Sequence, residues 1–278
     1  MERLEQLKTS FQKSIDNGDA RVDDWLFVYS PWPTVALCSA YLLVCFVGPK
    51  IMAGREPFQL KPLIMLYNLC MVAYSLYVTV ELFLTSKALG FNYICDPLHY
   101  NTDSISMRLA AAIWLFYFSK LIEFLDTAFF ILRKKSNQVT FLHVYHHVTM
   151  PLIWWIAVKW YAGGMSFFTP MLNSFVHTVM YFYYFLSAFG PAMNKYLWWK
   201  RYLTMLQLVQ FLIGLSAGIY NIVTGCDFDQ RVIWSSIVYL ISHIFLFSNF
   251  YMHSYVKRNG GKGSKRHENG ANFLKKDS

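Results

Sequence analysis

Seven long apolar stretches follow one another along the chain, at residues 33–48, 63–84, 107–132, 139–158, 168–189, 202–223 and 232–256, joined by short polar connections. A helix that crosses a bilayer needs about 20 mostly apolar residues, and backbone amides in hydrocarbon must be satisfied within their own segment. The pattern therefore predicts an all-α integral membrane protein with seven transmembrane helices. Composition agrees: 55% of the 278 residues are hydrophobic and only 15% are Asp, Glu, Lys or Arg, where a soluble domain carries about 25% charged residues. The remaining charges are too few to cover a water-facing surface, and the same figures exclude a disordered, collagenous or disulfide-scaffold chain. Residues 1–31 are charged and lack the apolar centre of a secretory signal. Leu4, Leu7, Phe11 and Ile15 recur there at helical spacing and predict a short amphipathic helix. Three parts are expected: residues 1–32 as an N-terminal segment, 33–256 as the membrane domain, and 257–278 as a basic tail.

The connections carry a second, independent pattern. Lys50, Arg55 and Lys61, then Arg133, Lys134 and Lys135, then Lys195, Lys200 and Arg201 occupy alternate loops, and seven more cations follow residue 256. Those sixteen contrast with seven on the other side, out of 25 Lys and Arg in all. Cytosolic loops carry the excess of Lys and Arg, so the C-terminus is expected in the cytosol and the N-terminus in the lumen. The net charge of +9 is then a cytosolic collar and not a nucleic-acid footprint. Cys95 and Cys226 both fall in luminal loops, where a disulfide can persist, although connectivity is not readable from sequence. Lys275 and Lys276 stand fourth and third from the C-terminus of a tail expected to be disordered. They resemble the dilysine address of endoplasmic-reticulum membrane proteins.

Ionisable residues inside apolar spans are costly and mark function by default. The third span places Lys120, Glu123, Asp126 and Thr127 within one third of the helix circumference. The bland account of Glu123 and Asp126 is a Lys–carboxylate cluster that holds helices in register, with Lys120 also open to an anionic ligand. The fourth span opens with His143, His146 and His147, which share one helix face by their spacing. Pro151 follows, where a kink or a free carbonyl is expected. Asn173 and His177 lie one turn apart in the fifth span, followed by Tyr181, Tyr183 and Tyr184. In the sixth, Lys200, Thr204, Gln207 and Gln210 form a stripe running inward from the cytosolic rim, as a polar headgroup channel requires. His243 and Asn249, isolated in the seventh span, read as structural.

Clustered histidines invite a metal. A membrane di-iron desaturase or hydroxylase needs about eight imidazoles from three boxes, and this chain has eight histidines in total. His99, His253 and His267 lie outside the spans or at their ends, leaving one box and at most five rings. A single zinc on His143, His147 and His177 stays open on ligand type alone. Otherwise the histidines suit nucleophilic and acid–base chemistry: a neutral imidazole attacks a thioester, a second moves protons or polarises the carbonyl, and the bilayer keeps water from the acyl intermediate.

Four stretches, KLIEFLDT (120–127), HVYHH (143–147), NSFVHTVMYFYY (173–184) and KRYLTMLQLVQ (200–210), resemble the signature blocks of the very-long-chain fatty acid elongase family, the 3-oxoacyl-CoA synthases of the endoplasmic reticulum. The likeness runs from about residue 24 to 255. It implies six helices forming a barrel around an acyl tunnel, and the joining of acyl-CoA to malonyl-CoA with release of CO2 and CoA through an acyl-histidine. By position His146 is then the nucleophile, His177 its acid–base partner and Asn173 its neighbour, with His143 and His147 supporting the box. The CoA-contacting positions fall on Lys120, Arg133, Lys135, Gln138, His143, Tyr183, Lys200, Thr204 and Gln207. The family's luminal disulfide falls on Cys95 and Cys226. The resemblance also implies no tightly bound cofactor, contact with membrane lipid and with the other enzymes of the elongation cycle, and a homodimer. Three further stretches, SPWPT (30–34), GREPFQ (54–59) and KYLWWKRYLTMLQL (195–208), place the likeness nearest one vertebrate branch of the family.

Overall fold

The computed structural model describes residues 1–256, and over these the chain is helical with no strand. The tail with Lys275 and Lys276 lies outside the described residues. In chain order the helices are α1 (Glu2–Asp16), α2 (Trp32–Met52), α3 (Lys61–Ala88), α4 (Ser104–Ile122), α5 (Phe124–Leu132), α6 (Phe141–Tyr161), α7 (Phe168–Ser187), α8 (Lys200–Val223) and α9 (Gln230–Tyr251). A wider turn over Met252–Val256 continues α9. Each apolar stretch of the sequence coincides with a helix, and only the third is divided, at Glu123. Four helices are long and apolar enough to cross a membrane: α2, α3, α8 and the run Gln230–Val256. Of the others, α5 is too short, while α4, α6 and α7, with 19, 21 and 20 residues, are long enough but not apolar enough, because they carry polar side chains.

Helix ends are set by local chemistry. Asp103 accepts from the amides of Ile105 and Ser106 and so starts α4, and Thr140 caps α6 by accepting from the amide of His143. Pro49 and Pro151 lie inside α2 and α6 without ending them. The helix runs on through Pro151, where a kink or a free carbonyl is expected.

Packing places α3 along α7, α7 beside α8 and α8 against α9, while α4 joins α3 to α6. Side-chain bonds return from α9 to α6, Tyr145 to Ser242 at 3.0 Å and Thr149 to Tyr239 at 2.8 Å. These six helices thus follow one another in a ring, with α2 outside it against α5 and α6. The outer surface is apolar, with Phe46 70% and Phe245 72% exposed, which is unfavourable in water and ordinary against lipid.

The two ends of the bundle differ. At one, the basic connections gather: Lys134 Nζ donates to the Ala53 carbonyl, Lys61 Nζ to that of Phe189, and the Phe58 amide to that of Leu132. At the other, the N-terminal segment is docked. Arg21 forks onto Asp19 at 2.6 Å and reaches the carbonyls of Asn101 and Ala162. Lys159 pairs with Asp23, and Val22 and Val28 are fully buried. Of the predicted amphipathic face of α1, Ile15 alone is buried, while Leu4, Leu7 and Phe11 stay exposed.

Cys95 and Cys226 form a disulfide at this second end, tying the α3–α4 and α8–α9 connections. Beside it Asn221 donates to the Ile94 carbonyl at 2.8 Å. The bridge closes a chain segment 131 residues apart. Replacing both cysteines with serine is expected to remove about 2–4 kcal/mol of stability, read as a fall in the thermal midpoint in detergent. Nearby, the Arg231 guanidinium beside Asp229, with the Tyr161 hydroxyl, holds that carboxyl below the usual carboxylate range. Its contribution to stability is present above the unfolded carboxylate value of about 4 and is lost as the pH falls below it.

Candidate active site

The division between α4 and α5 builds the polar centre. Glu123 caps both helices, with the Asp126 amide bonding back to its carbonyl at 3.1 Å in a tightened turn. Its side chain is 1% exposed and that of Lys120 2%. Lys120 Nζ donates to Glu123 Oε1 at 2.7 Å and to Asn173 Oδ1 at 3.1 Å, which ties α4 to α7. His177 Nδ1 stands 3.1 Å from the same Glu123 oxygen, near enough for charge pairing but not aligned as a hydrogen bond. Glu123 Oε2 is buried with no hydrogen-bond partner among the described residues. A buried charge is tolerated only where it is paired, and here one carboxylate answers a lysine and faces an imidazole. Next to this group, Asp126 accepts from the Tyr181 hydroxyl at 2.7 Å.

The histidine box occupies the opposing face, on α6. His143 Nε2 lies 2.6 Å from Thr127 Oγ1, which meets the Tyr41 hydroxyl at 3.1 Å, so this ring is anchored to α5 and α2. His147 is buried, with its ring centroid 4.2 Å from that of His143. His146 lies 5.2 Å from His147 and 6.4 Å from His177 across the helix interface, the latter with the rings nearly parallel. Unlike His143, its ring forms no hydrogen bond among the described residues and is held by ring contacts alone.

The structure therefore assembles Lys120, Glu123, Asn173, His177 and His147, all buried, with the half-buried His143 and His146 in one centre. The other residues named from the sequence have partners of their own or lie at the basic end. Arg133, Lys135 and Gln138 lie in or beside the turn between α5 and α6, at the basic end. Lys200 begins α8 there and is exposed. Tyr183 is buried edge-on against Trp199 at 5.0 Å, Thr204 Oγ1 is 3.5 Å from the Tyr255 hydroxyl, and Gln207 Nε2 is 3.7 Å from Met180 Sδ. Lys120, also named for CoA, is committed to Glu123 and Asn173, so the pairing account of this cluster describes the geometry.

One expectation needs correction. His243 reads from the sequence as an isolated structural residue, yet α9 brings its ring within 5.7 Å of His146 and 4.3 Å of Tyr239. The signal was present, since an ionisable side chain in an otherwise apolar span is a functional candidate by default. What was missing was the neighbour, because α6 and α9 are far apart in sequence.

Fold and centre together define an all-helical membrane protein built around buried, interacting histidines. The chain belongs to the ELO, or GNS1/SUR4, family, whose model matches residues 26–263. It is 50% identical over 253 residues to the human protein named very long chain fatty acid elongase 4, covering 91% of this chain and 81% of that one. The mouse elongase 4 is 47% identical over 274 residues, covering 96% and 88%, and the mouse elongase 2 is 44% identical over 262 residues, covering 93% and 89%. The likeness to elongase 4 agrees with the branch that residues 30–34, 54–59 and 195–208 pointed to. The chain holds no Asn-x-Ser/Thr sequence, so N-glycosylation is not expected.

Proposed function

We propose that this chain is the condensing enzyme of fatty acid elongation, a 3-oxoacyl-CoA synthase acting on long or very-long-chain acyl-CoA and malonyl-CoA. The observation that carries the reading is His146, a ring free of hydrogen bonds, placed between neighbouring imidazoles in a water-poor centre inside a family of fatty acid elongases. A free ring nitrogen is a nucleophile in search of an electrophile, and the thioester supplies one.

In the first half-reaction a ring nitrogen of His146 attacks the thioester carbonyl. The new C–N bond forms, the C–S bond breaks, and the departing CoA sulfur takes a proton from His177, which Glu123 faces at 3.1 Å. The proton on the other nitrogen of His146 is lost to a base on that side of the ring. In the second half-reaction malonyl-CoA loses CO2, its C2 carbon attacks the acyl carbonyl, and the C–N bond breaks to return His146 and release 3-oxoacyl-CoA. Asn173 and Lys120 hold Glu123 and α7 in register, while His143 and His147 support the box. Exclusion of water protects the acyl-histidine from hydrolysis.

The basic end is the proposed entrance for the CoA phosphates, with Arg133, Lys135 and Lys200 as their partners. The R133A/K135A double variant is expected to raise KM for acyl-CoA about tenfold, the worth of one lost charge-assisted hydrogen bond, with kcat little changed. Steady-state kinetics at two salt concentrations check it: the variant's KM should respond less to salt. The same reading makes the ring of six helices the wall of the acyl tunnel. It sets the chain across the endoplasmic-reticulum membrane seven times, with the N-terminus luminal and the C-terminus cytosolic. It includes a homodimer and contacts with the other enzymes of the cycle, and no tightly bound cofactor.

The test is chemical. Protein incubated with long-chain acyl-CoA alone should gain the mass of one acyl group, and peptide mapping should place it on His146. Turnover of malonyl-CoA with no acyl-enzyme at any time would overturn the mechanism. The di-iron reading gains nothing from the family match. Among the described residues no three His, Cys, Asp or Glu side chains are grouped to hold a metal.

A further inference from the structure

The ring of His146 has two buried imidazole neighbours on different helices, His177 of α7 and His243 of α9. His243 is 1% exposed. Its Nδ1 lies 3.0 Å from the carbonyl oxygen of Tyr239, one turn earlier in α9. A carbonyl only accepts, so in the neutral ring the hydrogen sits on Nδ1 and Nε2 carries the lone pair. That Nε2 is buried and has no partner among the described residues.

The arrangement around His243 is over-determined. The Tyr239 carbonyl also accepts from Ser242 Oγ at 2.7 Å, which obliges the Tyr145 hydroxyl to donate to Ser242 Oγ. The Tyr239 hydroxyl in turn meets Thr149 Oγ1 at 2.8 Å, and Thr149 bonds to the Tyr145 carbonyl at 2.7 Å. Phe211 and Phe247 close the apolar side at 5.5 and 6.5 Å. This network spans α6 and α9, and it leaves one orphaned acceptor on a ring whose centre is 5.7 Å from that of His146. A buried acceptor without a partner is costly, so a fold that keeps it this rigidly keeps it for a donor.

We propose that His243 is a positioning residue for the nucleophile: its Nε2 accepts the N–H of His146, fixes that ring's tautomer, and turns the other ring nitrogen toward the acyl thioester. The rings stand edge to face, 71° apart with centres 5.7 Å from one another, so the bond requires the His146 ring to turn toward Nε2, and such contacts commonly tighten when substrate enters. This inference rests on His146 being the acyl carrier. In the acylation step the His146 nitrogen bonds to the acyl carbon, the C–S bond breaks, and the N–H proton of His146 passes to His243 Nε2. The CoA sulfur leaves protonated by His177. When condensation breaks the C–N bond, the same proton returns from His243 to His146, and His177 regains its proton from solution. That uptake matches the one proton consumed by decarboxylation.

The test compares His243→Phe, which keeps an aromatic ring but has no acceptor, with His243→Gln, whose amide oxygen reaches the Nε2 position. Single-turnover acylation by long-chain acyl-CoA is expected to slow about tenfold in His243→Phe, with KM unchanged, and to recover most of that loss in His243→Gln. A merely structural role would lower the thermal midpoint of both variants and slow both alike. That result, or wild-type acylation in a folded His243→Phe protein, overturns the proposal. A His146→Ala sample in the same series separates the two ideas. If it still acylates, the acyl-carrier reading falls; if it does not and His243→Phe is unimpaired, only the positioning role falls.

Discussion

Alanine in place of His146 is expected to abolish acyl-enzyme formation and to lower condensation by at least a thousandfold, the order seen when a covalent nucleophile is removed. The expectation follows from the asymmetry within the box. His143 is anchored on Thr127 at 2.6 Å and His147 is packed against His143 at 4.2 Å, while His146 makes ring contacts only. Alanine at 143 or 147 therefore loses support for the box and should cost less. The measurement is mass spectrometry of the acylated protein beside steady-state rates, on variants with matched thermal midpoints. A folded His146→Ala protein that condenses malonyl-CoA at the normal rate would falsify the assignment.

The second large effect concerns stability. Glu123→Ala removes the carboxylate that answers Lys120, leaving a lysine 2% exposed with the Asn173 amide and the face of the Phe116 ring but no counter-charge within hydrogen-bond distance. Breaking a buried pair from one side costs about 3–5 kcal/mol, because the remaining charge is left without compensation. Glu123→Ala should therefore fail to accumulate or should melt at a clearly lower temperature. The paired change K120M/E123Q removes both charges and is expected to restore much of the stability. It should not restore turnover, since His177 no longer faces a carboxylate. Thermal midpoints of the single and double variants decide the first point, and their condensation rates the second. Equal stability of Glu123→Ala and the parent would show that the pair does not hold α4 and α7 together.

These effects show how far the residues alone carried the reading. The apolar runs located every helix of the bundle, because length and hydropathy are local properties and each run must satisfy its own backbone. The spacing of His143, His146 and His147 placed them on one face for the same reason. Lys120, Glu123 and Asp126 were recognised as a cluster, but the wheel that grouped them assumed one unbroken helix. The tightened turn at Glu123 divides it, and Asp126 turns to Tyr181 while Glu123 turns to Lys120 and His177. That division arises where Glu123 meets partners from α7, and no propensity in the sequence announces it.

Periodicity and composition were sufficient for an all-helical chain with an apolar exterior, a basic end and a histidine face, since each depends on residues near one another in the sequence. The identity of the neighbours was settled by packing. His177 beside Glu123, His243 beside His146 and Cys95 bonded to Cys226 join segments dozens of residues apart or more. Such contacts depend on which helices lie side by side in the ring, and that order follows from the fit of whole surfaces rather than from any local pattern.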